Sequence, residues 1–173
     1  MLALTKLKAL NIYMNKQATD ELLAPLTAIT TLEEISMSNS REVTTLGFLA
    51  GCTGLTELKA SWCRKLEDIS VLATMPDLRA IDIEDCKATD FSVLRGKPKL
   101  TRLDVAGTAF TDLSLLSESA ELSSLEIHDT EIRELAALAA FPNLHSLSVS
   151  KEVPEAQVEA LKDKLPNLRI RTR

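Results

Sequence analysis

The chain has 173 residues, of which 45% are hydrophobic, 26% are charged and only 3% are aromatic. This length predicts one domain rather than two. The net charge of −5 argues against nucleic acid or an anionic membrane as the partner, because both attract a concentrated positive field. No apolar run reaches the roughly 18 residues of a membrane-spanning helix, and the N-terminal stretch is unlike an export signal. We therefore expect a cytoplasmic protein.

Leucine makes up about one residue in six, and the leucines recur at a regular spacing along the chain. Each of seven leucines is followed by an apolar or small residue three and five positions later. In a strand, side chains alternate between the two faces, so these residues would point into a core and the residues between them would face outward. The starting residues are Leu7, Leu32, Leu55, Leu78, Leu100, Leu122 and Leu144.

A second pattern follows each strand in the later repeats. An acidic residue precedes one apolar residue and then another three positions further on, which predicts a short helical turn with an acidic N-terminal cap. Each unit would then be a strand, a corner and a helical turn, and stacked units would bury one continuous core. The acidic residues are Asp68, Asp90, Asp112 and Glu134.

The pattern L-x-x-L-x-L followed by a small polar residue resembles the leucine-rich repeat family over essentially the whole chain. The later segments, such as DISVLATMPD and ELAALAAFPN, are similar to the second half of bacterial internalin-type repeats of about 22 residues. The resemblance implies an α/β leucine-rich repeat solenoid, a right-handed superhelix with a concave parallel β-sheet and short helical turns on its convex side. We expect these repeats over residues 1–152.

A small polar residue lies eight positions after each starting leucine, where the family usually has Asn or Cys. Such a side chain can satisfy backbone groups at the corner. This position explains Cys63 and Cys86, since three cysteines without a CxxC motif indicate neither a disulfide framework nor a zinc site. We expect reduced thiols, with a disulfide between the two as the alternative. The corner residues are Asn15, Ser40, Cys63, Cys86, Thr108 and Thr130.

The two ends of the chain differ. Residues 153–173 predict a C-terminal cap: a helix beginning near Pro154, with an apolar stripe of Val158, Leu161 and Leu165, and then a short final strand. The N-terminal residues instead match the end of one repeat running into the next. We expect either a fragment of a longer protein or a first strand whose edge is covered, with self-association through this N-terminal edge strand as one way to cover it.

The outward strand positions carry an acidic column. Asp82, Asp104 and Glu126 would lie opposite one another on adjacent strands, which costs about 0.7 kcal/mol per pair in water-like dielectric. We expect that the fold itself does not require charged residues at these positions. They therefore favour a docking surface for a cationic partner, and the alternatives are a solvated acidic face or a divalent cation held with His128.

Two rare aromatic residues, Tyr13 and Trp62, fall in the same outward columns, and such residues are enriched at binding hot spots. The alternative for Trp62 is that it folds over the strand edge and covers Leu66. A basic cluster of Arg95, Lys97 and Lys99 predicts a solvated face. The candidate partner-binding residues are Tyr13, Lys59, Trp62, Asp82, Glu84, Asp85, Asp104, Glu126, His128 and Asp129.

The sequence contains no nucleophile elbow and no glycine-rich phosphate loop, so it predicts neither an enzyme nor a cofactor site. The function it predicts is a non-catalytic protein–protein interaction module that binds a basic patch of a partner on its acidic concave face. The alternatives are the recognition domain of a larger bacterial effector or enzyme, or a binder that neutralises a toxin.

Overall fold

A computed structural model describes residues 6–173, so the first five residues of the expected repeat region lie outside the described part. Within it, eight parallel strands form one open sheet in the order of the chain, which confirms the predicted solenoid. The strands are β1 (Ala9–Asn11), β2 (Glu34–Ser36), β3 (Glu57–Lys59), β4 (Ala80–Asp82), β5 (Arg102–Asp104), β6 (Ser124–Ile127), β7 (Ser146–Val149) and β8 (Arg169–Thr172).

The register of the sheet places one apolar residue of every strand in a single row, from Leu10 on β1 to Ile170 on β8. The members of this row from Ile35 to Leu147 are at most 2% exposed. A shift of one residue would turn the whole row toward solvent, so the apolar pattern locks the register. Leu10 and Ile170, on the outer strands, are half-buried.

The return segments on the other side of the core are short helical turns. Asp68, Asp90 and Asp112 each accept the backbone N–H two residues later at 2.9 Å, which holds the start of the turn as predicted. In the repeat of Glu134, the side chain of Gln157 accepts the N–H of Leu135 at 3.2 Å. The turns are α1 (Asp20–Leu23) and 3₁₀ segments at Ala24–Ala28, Gly47–Leu49, Ser70–Thr74, Ser92–Leu94, Leu113–Leu116 and Ala136–Ala140.

The corner residues satisfy backbone groups, as the sequence predicts, and most of them donate to a carbonyl. The thiol of Cys63 donates to the carbonyl of Met37 at 3.3 Å, and the thiol of Cys86 donates to that of Ala60 at 3.2 Å. Both cysteines are free, and burial raises the pKa of both thiols. The two residues therefore act as neutral hydrogen-bond donors that tie each corner to the preceding repeat.

The chain closes with α2 (Glu155–Lys164), which packs against the Ala136–Ala140 turn, and with β8, which pairs with β7. Val158 and Leu161 of α2 are buried. Among residues 6–173, no helix is long and apolar enough to cross a membrane.

Lys97 contradicts the expectation of a solvated basic face, because it is only 1% exposed. It lies three residues before Leu100, just as Met75 lies three residues before Leu78, so its aliphatic stem fills a core position. No carboxylate of the described residues lies within ion-pair distance of its ammonium, and burial lowers the pKa of Lys97. Arg95 is exposed, as expected, and Lys99 is half-buried.

We expect Lys97→Met to raise the free energy of unfolding by about 1 kcal/mol, because it removes a desolvated amine while keeping the apolar stem. Urea unfolding at neutral pH measures the change. Lys99→Met is the matched control, since Lys99 pairs with Asp77 at 2.5 Å on the surface. Equal effects of the two substitutions would contradict a buried-charge cost at Lys97.

The residue seven positions after each of the first six starting leucines has a left-handed backbone, with φ between 54° and 64°. Asn, Asp and Gly tolerate this conformation, whereas bulky residues pay about 1–2 kcal/mol for it. Met14 and Trp62 occupy it at φ 56° and 61°. The full column is Met14, Asn39, Trp62, Asp85, Gly107 and Asp129.

We expect Trp62→Asn to raise the free energy of unfolding by up to about 1 kcal/mol, because asparagine tolerates the left-handed backbone that the indole residue strains. Thermal or urea unfolding tests this. Trp62→Ala is the control: it removes the same indole but keeps the steric penalty of a Cβ without a compensating amide. An asparagine variant less stable than the alanine variant would contradict this reasoning.

Candidate functional site

The outward face of the central strands carries one aligned column of charges. The register places Lys59, Asp82, Asp104 and Glu126 directly opposite one another on β3, β4, β5 and β6. The three carboxylate side chains are half-buried, whereas Lys59 is exposed. They line a groove of 230 Å³ together with Glu57, Arg102 and Ser124. We refer to it below as the acidic groove.

Glu84, two residues after Asp82 in the chain, lies next to this column. Carboxylate oxygens of Asp82, Glu84 and Asp104 all lie within 4.8 Å of one another. Burial raises the pKa of Asp104 to about 7, and the charges of Asp82, Glu84 and Glu126 add to the effect. Burial also raises the pKa of Asp82. The groups are therefore close enough and desolvated enough to disfavour full ionisation.

Carboxylate oxygens are the ligands that Ca²⁺ and Mg²⁺ prefer. Acidic groups often adopt such spacing without an ion, and this spacing by itself assigns no metal. His128, which the sequence suggested as a further ligand, is outside the cluster of Asp82, Glu84 and Asp104.

Two cations of the groove, Lys59 and Arg102, pair with Glu57 and not with Asp82 or Asp104. The ammonium of Lys59 pairs with Glu57 at 2.5 Å, and the guanidinium of Arg102 lies 3.9 Å from the other oxygen of the same carboxylate. At the far side, Arg173 approaches Glu126 at 4.0 Å. No ion pair involving Asp82, Glu84 or Asp104 occurs within residues 6–173. The groove thus keeps an unneutralised negative charge.

Two of the acidic residues have a structural task that the sequence analysis missed. Asp104 accepts the backbone N–H of Ala106 at 3.0 Å, and Asp82 accepts that of Glu84 at 3.3 Å. Asn11, in the same column on β1, accepts the N–H of Tyr13 at 2.9 Å. Asp and Asn commonly make this local turn, so the fold calls for an oxygen acceptor at these positions. Asn11 was the available signal, and it shows that the turn needs an oxygen but no charge.

Glu126 and His128 are less accessible than predicted. His128 is only 6% exposed, contrary to its expected outward position. Its Nδ1 lies 3.3 Å from the hydroxyl of Ser148 and 3.7 Å from Oε2 of Glu126. That glutamate oxygen is buried and makes no hydrogen bond. A catalytic triad needs the acid and the serine on different ring nitrogens, whereas both neighbours here approach Nδ1 and Ser148 is 1% exposed.

Trp62 borders the acidic groove with an ordered side chain. It is 41% exposed, and its indole N–H donates to Oε2 of Glu84 at 3.0 Å. The guanidinium of Arg64 lies 4.9 Å from the ring centroid and 3.8 Å from a carboxylate oxygen of Asp85. The indole therefore contacts the charged rim, and Leu66 is buried in the core.

The remaining candidates are spread along the rim. Tyr13 is 58% exposed and follows β1, whereas Trp62 follows β3, two strands away in the sheet. Asp129 is exposed at the left-handed position after β6. The structure thus brings Trp62, Glu84, Asp82 and Asp104 together, and it leaves Tyr13 and Asp129 at the two sides.

Solved structures with the same architecture include internalins of Listeria monocytogenes. Internalin InlF has a TM-score of 0.81 at 22% identity, covering 96% of this chain and 48% of its own. Internalin C2 has a TM-score of 0.81 at 24% identity, covering 98% of this chain and 73% of its own. The functional domain of InlJ, which includes a cysteine ladder, has a TM-score of 0.69 at 22% identity, covering 86% of this chain and 33% of its own.

This chain spans about half the length of the InlF chain that it matches. No protein-family model and no curated protein matches it. At 22–24% identity the likeness concerns the architecture alone, which agrees with the strand register and the repeating corners. The chain therefore has the leucine-rich repeat fold found in the internalins.

Proposed function

We propose that the chain is a non-catalytic binding module that holds a basic segment of a partner protein in its acidic groove. The observation that carries this proposal is the unneutralised charge of Asp82, Glu84 and Asp104 beside cations that are engaged by Glu57. Complementary charge steers such a partner to the groove and fixes its orientation. A half-buried carboxylate also gains more from a cation than an exposed one does.

Trp62 is proposed as the apolar anchor next to the groove. Its hydrogen bond to Glu84 and its stacking with Arg64 hold the indole in place before binding, so little side-chain entropy is lost on contact. The strained backbone at Trp62 supports this role, because strain of this kind is retained mainly at functional positions. Tyr13 would extend the contact toward β1.

The other candidates take supporting roles in this proposal. Lys59, Asp85 and Asp129 line the rim and would contribute orientation more than affinity. His128 is buried, so we assign it an indirect role through Glu126 rather than a contact with the partner.

We expect Asp82→Asn combined with Asp104→Asn to weaken partner binding about tenfold or more at low ionic strength, because two attractive charges are lost. Asparagine preserves the local turn, as Asn11 does on β1. The measurement is the affinity of a protein that the wild-type chain captures, titrated over a series of salt concentrations. The lysine reversal of both residues should weaken binding further.

Glu118→Gln combined with Asp163→Gln is the control, since both residues are exposed and lie outside the groove. It should leave affinity and salt dependence as in the wild-type chain. Unchanged affinity of the Asp82/Asp104 double variant would refute the groove as the binding site, provided that its unfolding curve is normal.

A second candidate is that these repeats form the recognition part of a longer effector or enzyme, or neutralise a toxin. The observation that favours a larger protein is that the chain matches only 48% of InlF and 33% of InlJ. Sequencing the gene on both sides of this region separates a free-standing binder from a part.

The exposure pattern also favours self-association through the edge strand β1. Leu10 and Ile12 are half-buried, whereas Ile35 and Met37, their counterparts on the next repeat, are 1% and 0% exposed. We expect light scattering to find a dimer that Leu10→Lys converts to a monomer. A wild-type monomer at high protein concentration would exclude this contact.

A further inference from the structure

We propose that Asp82 and Asp104 hold one shared proton in the free protein, and that a cationic side chain of the partner displaces it. This regulation rests on the proposed function, since it concerns the same groove. It makes binding stronger at pH 8 than at pH 6.

The geometry holds Asp82 and Asp104 close together. They face the same side of adjacent parallel strands, with Asp82 opposite Asp104 and Asp104 opposite Glu126. The strand spacing of about 4.8 Å sets the distance between neighbouring members of this column. Asp104 lies in the middle and therefore experiences both neighbours, with Glu84 as a third charge within 4.8 Å.

The hydrogen bonds limit how these groups can adjust. One oxygen of Asp82 and one of Asp104 accept backbone N–H groups, which fixes both side chains over the groove. Oε2 of Glu126 is buried without a hydrogen-bond partner. Two or more carboxylates confined in this way cannot all ionise at ordinary pH, so one retains a proton.

The surrounding charges do not cancel this repulsion. Lys59 lowers the pKa of Asp82 only as the weakest of several influences, and burial, the largest, raises it. For Asp104 every charged contributor is an acid, and the pKa is about 7. The titratable and charged groups around Asp104 are Arg102 on its own strand, Asp82, Glu84 and Asp85 from the β4 repeat, Glu57 and Lys59 on β3, Glu126 and His128 on β6, and Arg173 after β8.

A cation that requires ionised Asp104 must compete with the bound proton. For one proton released at a midpoint near pH 7, the linkage relation gives an affinity about tenfold higher at pH 8 than at pH 6. The folded state also binds this proton more tightly than the unfolded state does. The group therefore stabilises the free protein at low pH, and this stabilisation is lost as the pH rises through about 7.

The first test uses the free protein alone. Carboxyl ¹³C shifts followed by NMR should give Asp104 a midpoint near 7, and Asp82→Asn should lower that midpoint, because a neighbouring charge is removed while the turn is kept. Glu118→Gln, on the exposed surface, should leave it unchanged. An Asp104 midpoint near 4 in the wild-type protein would overturn the shared proton.

The second test uses an acetylated and amidated tetra-arginine peptide as the cationic probe. Calorimetry at pH 6 in two buffers of different ionisation enthalpy should register release of about one proton, and affinity should rise about tenfold from pH 6 to pH 8. Asp104→Asn should abolish both effects. If Asp104→Asn retained the pH dependence, another group would be titrating and the proposal would fail.

The two tests separate the shared proton from the binding function. A raised midpoint without peptide binding at either pH would refute the displacement by a cation and count against the proposed function. Peptide binding without proton release would refute the shared proton while supporting the acidic groove as a cation-binding surface.

Discussion

Parallel register between successive repeats is the constraint on which the rest of the molecule depends. A single strand and turn cannot bury its apolar side, so each repeat is stable only when its row from Ile35 to Leu147 continues into the next repeat. The thiols of Cys63 and Cys86 reinforce this stacking, since each donates a hydrogen bond to a carbonyl of the preceding repeat. Stability is therefore shared between neighbours. The same stacking aligns equivalent outward residues on adjacent strands, whatever their charge.

The acidic groove follows from that alignment. In an irregular surface, Asp82, Asp104 and Glu126 could point apart, but here the register holds them in one column. The local turns that Asp82 and Asp104 make with the backbone explain an oxygen at these positions, and Asn11 supplies the same oxygen without a charge. The fold thus accounts for the hydrogen bond and leaves the charge unexplained. The proposed binding of a basic segment would give this charge a function.

The sequence predicts which face a residue occupies, and it does so well because the period of a strand is two and the repeat is regular. The sequence does not predict how deeply a side chain is buried. His128 is in an outward column, yet Ser148 and Glu126 enclose it. For Lys97 the charge predicts a solvated side chain. Its aliphatic stem instead occupies the core position that Met75 fills in the preceding repeat. Both errors concern the packing of neighbouring repeats, which periodicity alone does not describe.

The left-handed column marks the centre of the proposed site more narrowly than charge does. Asn, Asp and Gly occupy four of its six positions and adopt this backbone at little cost, so Trp62 and Met14 are the two departures. Only Trp62 is joined to the acidic groove, through its hydrogen bond to Glu84. Strain, exposed aromatic surface and unneutralised charge therefore coincide between β3 and β5. A partner that uses all three must cross these strands, because a segment lying only along β6 and β7 would meet the enclosed His128 and Ser148 instead.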